Sequence, residues 1–350
     1  MPVVVDSNRT TNNRVVGGQN PRRKAALQFP DRAGRALTIG LVNNMPDAAF
    51  RATERQFVSL LDQASDEIPV RLLLYSLPGV PRAGSSLHHA ETHYASTETL
   101  PGTNLDGLIV TGREPITSDL RDEPYWQSFT RVLEWARRHT HSTIWSCLAA
   151  HAAILHMDGI GRSKSDIKYF GALQCTRVSA HALTAGAPAT FPVPHSRWNG
   201  IAEQSLAAHG YTVLSRTLDA GVDSFVKEQE SLFVFFQGHP EYEADTLLRE
   251  YRRDVGRYFT RESEGYPLIP SGYFDNPTAT ALSDLQAKAM TCRSKELLTR
   301  VAAVLEKQEI ENTWRLTAAL IYRNWLEFIS ARKSATQMNA GAQLACAASQ

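Results

Sequence analysis

The sequence predicts an α/β fold with an open, mostly parallel sheet flanked by helices, and three observations carry that prediction. Short apolar or β-branched runs recur along the chain; several are followed by stretches with apolar residues three and four apart; and the composition is that of a globular protein. Of the 350 residues, 43% are hydrophobic and 21% charged, so a sizeable core can form without cross-links. The 37 basic residues against 36 acidic ones leave a net charge of +1, which excludes a general electrostatic attraction to nucleic acid or anionic membrane.

The predicted strands are Leu37–Val42, Val70–Tyr75, Gly107–Val110, Thr143–Trp145, Thr212–Leu214 and Leu232–Phe236. Helices are expected where Trp126, Phe129, Leu133 and Ala136 share a face, and where Leu247, Tyr251, Val255 and Tyr258 do. A further helical pattern covers about 278–306, with Pro277 at its start and Leu297, Leu298, Val301, Val304 and Leu305 on one stripe. Asn312–Ser330 is expected as a C-terminal helix packed back on the sheet. Residues 1–36, rich in Asn, Arg, Gly and Thr, and residues 333–350 read as flexible tails around a catalytic domain of 37–332. No apolar run approaches the roughly 20 residues of a membrane span, and the four scattered cysteines form no CxxC pair, so a reduced, cytoplasmic protein without a zinc site is expected.

In an open parallel sheet, chemistry lies beyond the carboxyl ends of the strands. There the segment Ser142-Thr-Ile-Trp-Ser-Cys147-Leu-Ala-Ala places a thiol between a strand and an Ala-rich helix. The positive end of a helix macrodipole favours an anion there, and the Leu148 amide would face an oxyanion formed on attack at Cys147. A lone cysteine is more often structural. The balance shifts because Phe236-Gln-Gly-His239-Pro-Glu241 ends the last apolar strand, and residues two apart in an extended segment face the same way. A Cys147, His239 and Glu241 group is therefore expected, with Glu241 required to reach the imidazole nitrogen far from the thiol. His88, His89 and His93 read as an exposed loop rather than metal ligands, and His151 as a histidine packed in a helix.

These motifs, with Val42-Asn-Asn-Met-Pro46, Gly107-Leu-Ile-Val-Thr-Gly112, Tyr125-Trp126, Pro194-His-Ser-Arg197, Gly238-His-Pro-Glu-Tyr242, Asn312-Thr-Trp-Arg315 and Asn324-Trp-Leu326, resemble the homoserine O-succinyltransferase family. The resemblance runs from about Leu37 to Arg332. It implies a class I glutamine-amidotransferase-like fold with a C-terminal helical extension, and an acyl group passed from succinyl-CoA or acetyl-CoA to the hydroxyl of L-homoserine in methionine biosynthesis. It further implies Cys147 as the nucleophile that forms a thioester, His239 as general base, Glu241 as its orienting carboxylate, and Lys168, Ser196 and Arg253 as substrate contacts. Ping-pong kinetics follow from a two-step transfer. Leu148 and Asn44 are the candidate oxyanion-hole residues. No permanently bound cofactor or metal is expected, nor any nucleic-acid or membrane partner; the family suggests a homodimer.

The chain departs from the family in two places. Asp47-Ala-Ala-Phe-Arg51 follows Met45-Pro46 where lysines are usual, with Arg51 as a substitute cation. Ile116 stands where glycine accompanies succinyl donors and glutamate accompanies acetyl donors. Its bulk leans toward acetyl, whereas Arg113 or Arg121 offers a cation for a succinyl carboxylate. Serine as acceptor, a glutaminase-type amidohydrolase on the same fold, and a non-catalytic metabolite-binding regulator stay open as alternatives.

Overall fold

The computed structural model describes residues 3–6 and 36–348, with side chains described up to residue 339. Along the chain the elements are β1 (Val3–Asp6), β2 (Leu37–Val42), α1 (Asp47–Ala64), β3 (Val70–Ser76), α2 (Gly84–His93), β4 (Ala95–Ser96), β5 (Gly107–Thr111), α3 (Trp126–His139), β6 (Ser142–Ser146) and α4 (Leu148–Asp158). There follow β7 (Ser163–Arg177), β8 (Thr190–Gly200), α5 (Glu203–Ala208), β9 (Thr212–Thr217), β10 (Gly221–Glu228), β11 (Leu232–Phe236), α6 (Thr246–Phe259), α7 (Asn276–Thr291), α8 (Lys295–Glu306) and α9 (Arg315–Ala348). They divide into two compact units, one of 1–153, 227–234 and 321–350, the other of 154–226 and 235–320.

The first unit is the parallel sheet that the apolar runs predict. Its strands lie in the order β1, β3, β2, β5, β6, each pair parallel, with β4 added beside β3. Parallel strands covered on both faces need apolar residues at every position rather than alternate ones, and Leu37, Ile39, Leu41 and Val42 of β2 are all fully buried. The α1 stripe of Phe50, Phe57, Leu60 and Leu61 and the α3 stripe of Phe129, Val132 and Leu133 are buried as well. Trp145 on β6 stacks on Phe233, with ring centroids 5.9 Å apart, and meets Phe129 edge-on at 5.4 Å. The register pairs Val42 with Val110 and Val110 with Trp145, so Asn43, Thr111 and Ser146 leave the sheet side by side at its carboxyl edge.

Two expectations for the chain ends change here. Val3–Asp6 form a strand paired with Val70–Leu73, while residues 7–35 lie outside the described residues. Residues 333–348 continue α9 instead of forming a tail, and Lys333 donates to Asp106 Oδ2 at 2.9 Å and to the Ala36 carbonyl at 2.8 Å. Ala, Lys and Gln favour a helix, and no glycine interrupts before Gly341. The packing of this helix on the sheet is as expected: Trp325 Nε1 donates to Ser142 Oγ at 2.9 Å. His88–His93, expected as a loop, belong to α2, where His89 Nε2 bonds Glu54 at 2.7 Å; His88 and His93 are exposed. His151 is buried in α4 as expected.

The second unit carries antiparallel strands, of which the sequence announces only Thr212–Leu214, the start of β9. β7 pairs β8 over a long hairpin, and β9 pairs both β7 and β10, all antiparallel. These strands are half-polar, with burial interrupted along β7, so they show no continuous apolar run. The 278–306 pattern resolves into two helices, broken at residues 292–294, with Asp275 capping α7 and Ser294 capping α8. Val301 and Leu305 of α8, with Leu282 and Leu285 of α7, pack with Tyr251 and Val255 of α6 and with Trp314. Burial of each such aliphatic side chain contributes about 1.5–3 kcal/mol, so α7 and α8 hold α6 in position.

Candidate active site

Cys147 sits in the first unit, on a sharp turn between β6 and α4, with a backbone φ of +52°. That left-handed conformation is disfavoured for any residue with a Cβ, and it lifts the thiol out of the strand line at the head of α4. Gly112 makes the turn possible: a Cβ there would lie 2.6 Å from the Ala149 nitrogen and 2.7 Å from the Leu148 nitrogen. The Leu148 N–H is the first of α4, where an α-helix offers no acceptor of its own. Asn44 is held beside them, its amide N–H donating to Thr111 Oγ1 at 2.8 Å and its side-chain Nδ2 to the Thr111 carbonyl at 2.8 Å. The two oxyanion candidates thus differ, since the Asn44 amide is already committed to Thr111.

Ile116 is 66% exposed, and its loop is fixed from behind by Glu123, whose Oε1 accepts from the Ile116 and Thr117 amides at 2.7 and 2.8 Å. Arg51 donates to the Ser85 carbonyl, and Arg121 pairs on the surface with Asp119.

His239 and Glu241 lie in the second unit and are brought together as the i, i+2 spacing suggests. His239 Nδ1 donates to Glu241 Oε1 at 2.8 Å, with both residues buried. The carboxylate can only accept, so this bond fixes the tautomer and leaves the lone pair on Nε2. Tyr242 stacks on the imidazole with centroids 4.2 Å apart. The His239 amide donates to the Pro194 carbonyl at 2.8 Å, and the Gln237 amide to the Asp223 carbonyl at 2.8 Å. Between them Gly238 passes so close to the sheet that a Cβ would meet Val193 at 2.6 Å and Asp223 Oδ1 at 2.7 Å.

Lys168, Ser196 and Arg253 converge on the two carboxylates of α6 in this unit. Lys168 Nζ is 3.5 Å from Asp254 Oδ2, and Arg253 Nε donates to Asp254 Oδ1 at 2.8 Å. Ser196 donates to Glu250 Oε2 at 2.5 Å, while the Tyr242 hydroxyl donates to Glu250 Oε1 at 2.7 Å. Burial pushes the Asp254 carboxyl upward, but Arg253 and Lys168 outweigh it and hold it below the usual carboxylate range. Arg253 keeps half of its side chain exposed, with only Nε taken by Asp254. Glu250 and Asp254 escape sequence reasoning because acidic residues on an exposed-looking helix carry no signal; Tyr242 stands next to the motif and gives one.

A further cluster lies beneath the His239 turn. The ligand-type atoms of Cys175, His195 and Asp223 come within 4.8 Å of one another and all three residues are buried. His195 Nε2 is 3.3 Å from Asp223 Oδ1, and Arg197 Nε donates to His195 Nδ1 at 3.2 Å. A guanidinium on the other imidazole nitrogen opposes a bound cation, so the group fits a neutral His195 packed against an ionised Asp223. Burial pushes the His195 imidazole below its ordinary value; burial raises Asp223, but His195, Ser215 and Arg197 hold it low.

Among known proteins, the family profile described as homoserine O-succinyltransferase matches residues 22–336. The homoserine O-succinyltransferase of Rhodopseudomonas palustris is 46% identical over 299 residues, covering 85% of this chain and 90% of that one. Its counterpart from Methylorubrum extorquens is 43% identical over 306 residues, covering 87% and 91%. A solved glutamine amidotransferase from Methylobacillus flagellatus aligns with a TM-score of 0.46 at 15% identity, covering 84% of this chain and 95% of that one. No helix among the described residues is long and apolar enough to cross a membrane. With a family profile spanning most of the chain and relatives alike over nearly their whole length, the chain belongs to the homoserine O-succinyltransferase family.

Proposed function

We propose that the chain transfers a succinyl group from succinyl-CoA to the hydroxyl of L-homoserine through a thioester on Cys147, a step of methionine biosynthesis. The observation that carries this reading is the 2.8 Å bond from His239 Nδ1 to Glu241, which orients an imidazole as a general base in a chain of this family. The names of the relatives favour succinyl over acetyl as the acyl group.

In the first half-reaction, His239 Nε2 takes the Cys147 proton and the sulfur attacks the thioester carbonyl of the donor. The Leu148 amide donates to the oxyanion, and the carbonyl re-forms as the CoA sulfur leaves with the proton from His239. In the second, His239 removes the homoserine hydroxyl proton, the oxygen attacks the Cys147 thioester, and the Cys147 sulfur leaves with that proton from His239 to release O-succinylhomoserine. Asn44 joins the oxyanion hole when its amide exchanges Thr111 Oγ1 for the oxyanion. Arg253 grips the amino-acid carboxylate through its outer nitrogens, with Asp254 fixing Nε; Lys168 and Ser196 complete the acceptor site. We further infer action in the cytoplasm, without a resident cofactor or metal, and as a homodimer.

Intact-protein mass spectrometry after mixing with succinyl-CoA or acetyl-CoA tests the reading. One succinyl adduct, absent in Cys147→Ala and discharged by homoserine, is the expected result. No adduct and no turnover with homoserine or serine from either donor refutes it, and glutamine hydrolysis would replace it.

A further inference from the structure

Two half-buried arginines of the first unit carry buried N–H groups without acceptors among the described residues. Arg82 has a side chain 6% exposed. Its Nη1 bonds the Met45 carbonyl and lies 3.4 Å from Asp47 Oδ1, its Nη2 bonds the Asn43 carbonyl at 2.9 Å, and its guanidinium covers the Phe50 ring at 3.7 Å. Its Nε is buried with no acceptor among the described residues. Arg113 is more poorly matched, since Nε and Nη1 are both buried and without a partner among the described residues. Its guanidinium lies 5.9 Å from the Tyr125 ring centroid, and among the described residues no carboxylate comes within ion-pair distance of it. The two cations also feel each other: burial is the main cause that lowers the Arg82 pKa, and the Arg113 charge adds to it.

A buried guanidinium N–H without an acceptor costs about 1–3 kcal/mol, more for a charged group, and two neighbouring cations add repulsion. An incoming anion removes both costs. A planar carboxylate suits the forked donors of arginine. Position decides which carboxylate. Arg113 directly follows Gly112, the residue whose α-carbon lies against the Leu148 and Ala149 amides at the nucleophile turn. An acyl group on Cys147 would be attached at that same turn, whereas the pantetheine arm would carry the CoA phosphates away from the thioester.

We propose that Arg113, backed by Arg82, forms an anion subsite that reads the free carboxylate of a dicarboxylic acyl donor. The proposal rests on the acyl-transfer reading above and gives it a specificity determinant. It also locates donor choice in a guanidinium rather than in Ile116, whose side chain is exposed. The Glu123 Oε1 is saturated by Ile116, Thr117 and the Thr117 hydroxyl at 2.7–2.8 Å, and its Oε2 is buried without a partner among the described residues, so Glu123 is the competing partner the experiment has to separate.

The experiment compares single-turnover acylation of Cys147 by succinyl-, butyryl- and acetyl-CoA in the native chain, Arg113→Gln and Arg113→Lys. Butyryl has the succinyl carbon count without the carboxylate. Arg113→Gln is expected to slow succinylation about 10- to 100-fold, the worth of a charged hydrogen-bonded pair, and to leave butyryl and acetyl transfer within about twofold. Arg113→Lys, which keeps the charge but not the fork, should fall between. Unchanged succinylation overturns the proposal. An equal loss with all three donors does too, and marks either a CoA-phosphate contact or a structural arginine paired with Glu123. Calorimetry with two unreactive thioethers, 3-carboxypropyl-CoA and butyl-CoA, separates the two levels of failure. If the native chain binds neither, the acyl-transfer reading falls; if it binds both equally, the subsite alone falls.

Discussion

Replacing Cys147 by glycine should stabilise the sheet edge that it inactivates. The residue holds φ at +52°, one of three non-glycine residues with positive φ among those described, with Asp66 and Arg261. A side chain in that conformation costs about 1–2 kcal/mol, whereas glycine adopts it freely but loses about 0.5–1 kcal/mol through the larger freedom of its unfolded chain. Cys147→Ala keeps the conformational cost and Cys147→Gly removes it. The difference between the two variants therefore isolates the strain, at about 0.5–1 kcal/mol in favour of glycine. The thiol is only partly buried, so the packing lost is similar in both. Because the chain has two units, native-state hydrogen exchange of the β6 amides and of the amides from Leu148 to Ala153 is a cleaner assay than a single melting curve. Those amides should exchange about two- to fivefold more slowly in Cys147→Gly than in Cys147→Ala, with acyl transfer lost in both. Equal or faster exchange in the glycine variant would refute the claim that strain is stored at the Cys147 turn.

Glu241→Gln frees the His239 tautomer that the 2.8 Å bond fixes; both half-reactions should slow by roughly 10²–10⁴ with little change in KM, and retention of more than a tenth of kcat would exclude the orienting role. Gly238→Ala puts a methyl group 2.7 Å from the buried Asp223 Oδ1 and 2.6 Å from Val193; a loss of about 1–3 kcal/mol in urea unfolding is expected, together with a fall in kcat as the His239 turn is displaced. His195 is buried neutral with its pKa depressed below the ordinary 6.5. An unfolded chain therefore binds a proton that the native one refuses, and the His195 contribution, complete above that value, is lost as pH falls below it. In urea titrations between pH 7.5 and 5.5, His195→Gln should flatten the pH slope by up to about 1.4 kcal/mol per pH unit, and an unchanged slope would show that His195 titrates alike in the native and unfolded chains.

The parallel half of the fold was legible because it has to be apolar at every position. Leu37–Val42 matches β2 residue for residue, and Gly107–Val110 covers all but the last residue of β5. β7, β8 and β10 were missed, since antiparallel strands with polar residues at intervals break the run that reveals a buried strand. The chain ends were misread for a related reason. Residues 333–348 have helix-forming composition but no wide apolar stripe, and among the described residues Lys333, bonded to Asp106 and to the Ala36 carbonyl, shows where this segment is tied.

At the candidate site, sequence by itself determined the residue types and their local arrangement. A cysteine between a strand and a helix and a histidine two before a glutamate are short-range facts of covalent order, and the His239 to Glu241 bond follows from them. Lys168 and Ser196 are different. They are brought to Asp254 and Glu250 of α6 from β7 and β8, over separations of 86 and 54 residues, and only the tertiary fold decides such meetings, whereas Arg253 meets the adjacent Asp254. The commitment of the Asn44 amide to Thr111, the room that Gly112 and Gly238 leave by lacking a side chain, and the unmatched guanidiniums of Arg82 and Arg113 belong to the same class. Each depends on which groups are excluded from water and what remains to satisfy them, and no local pattern of residues encodes that balance.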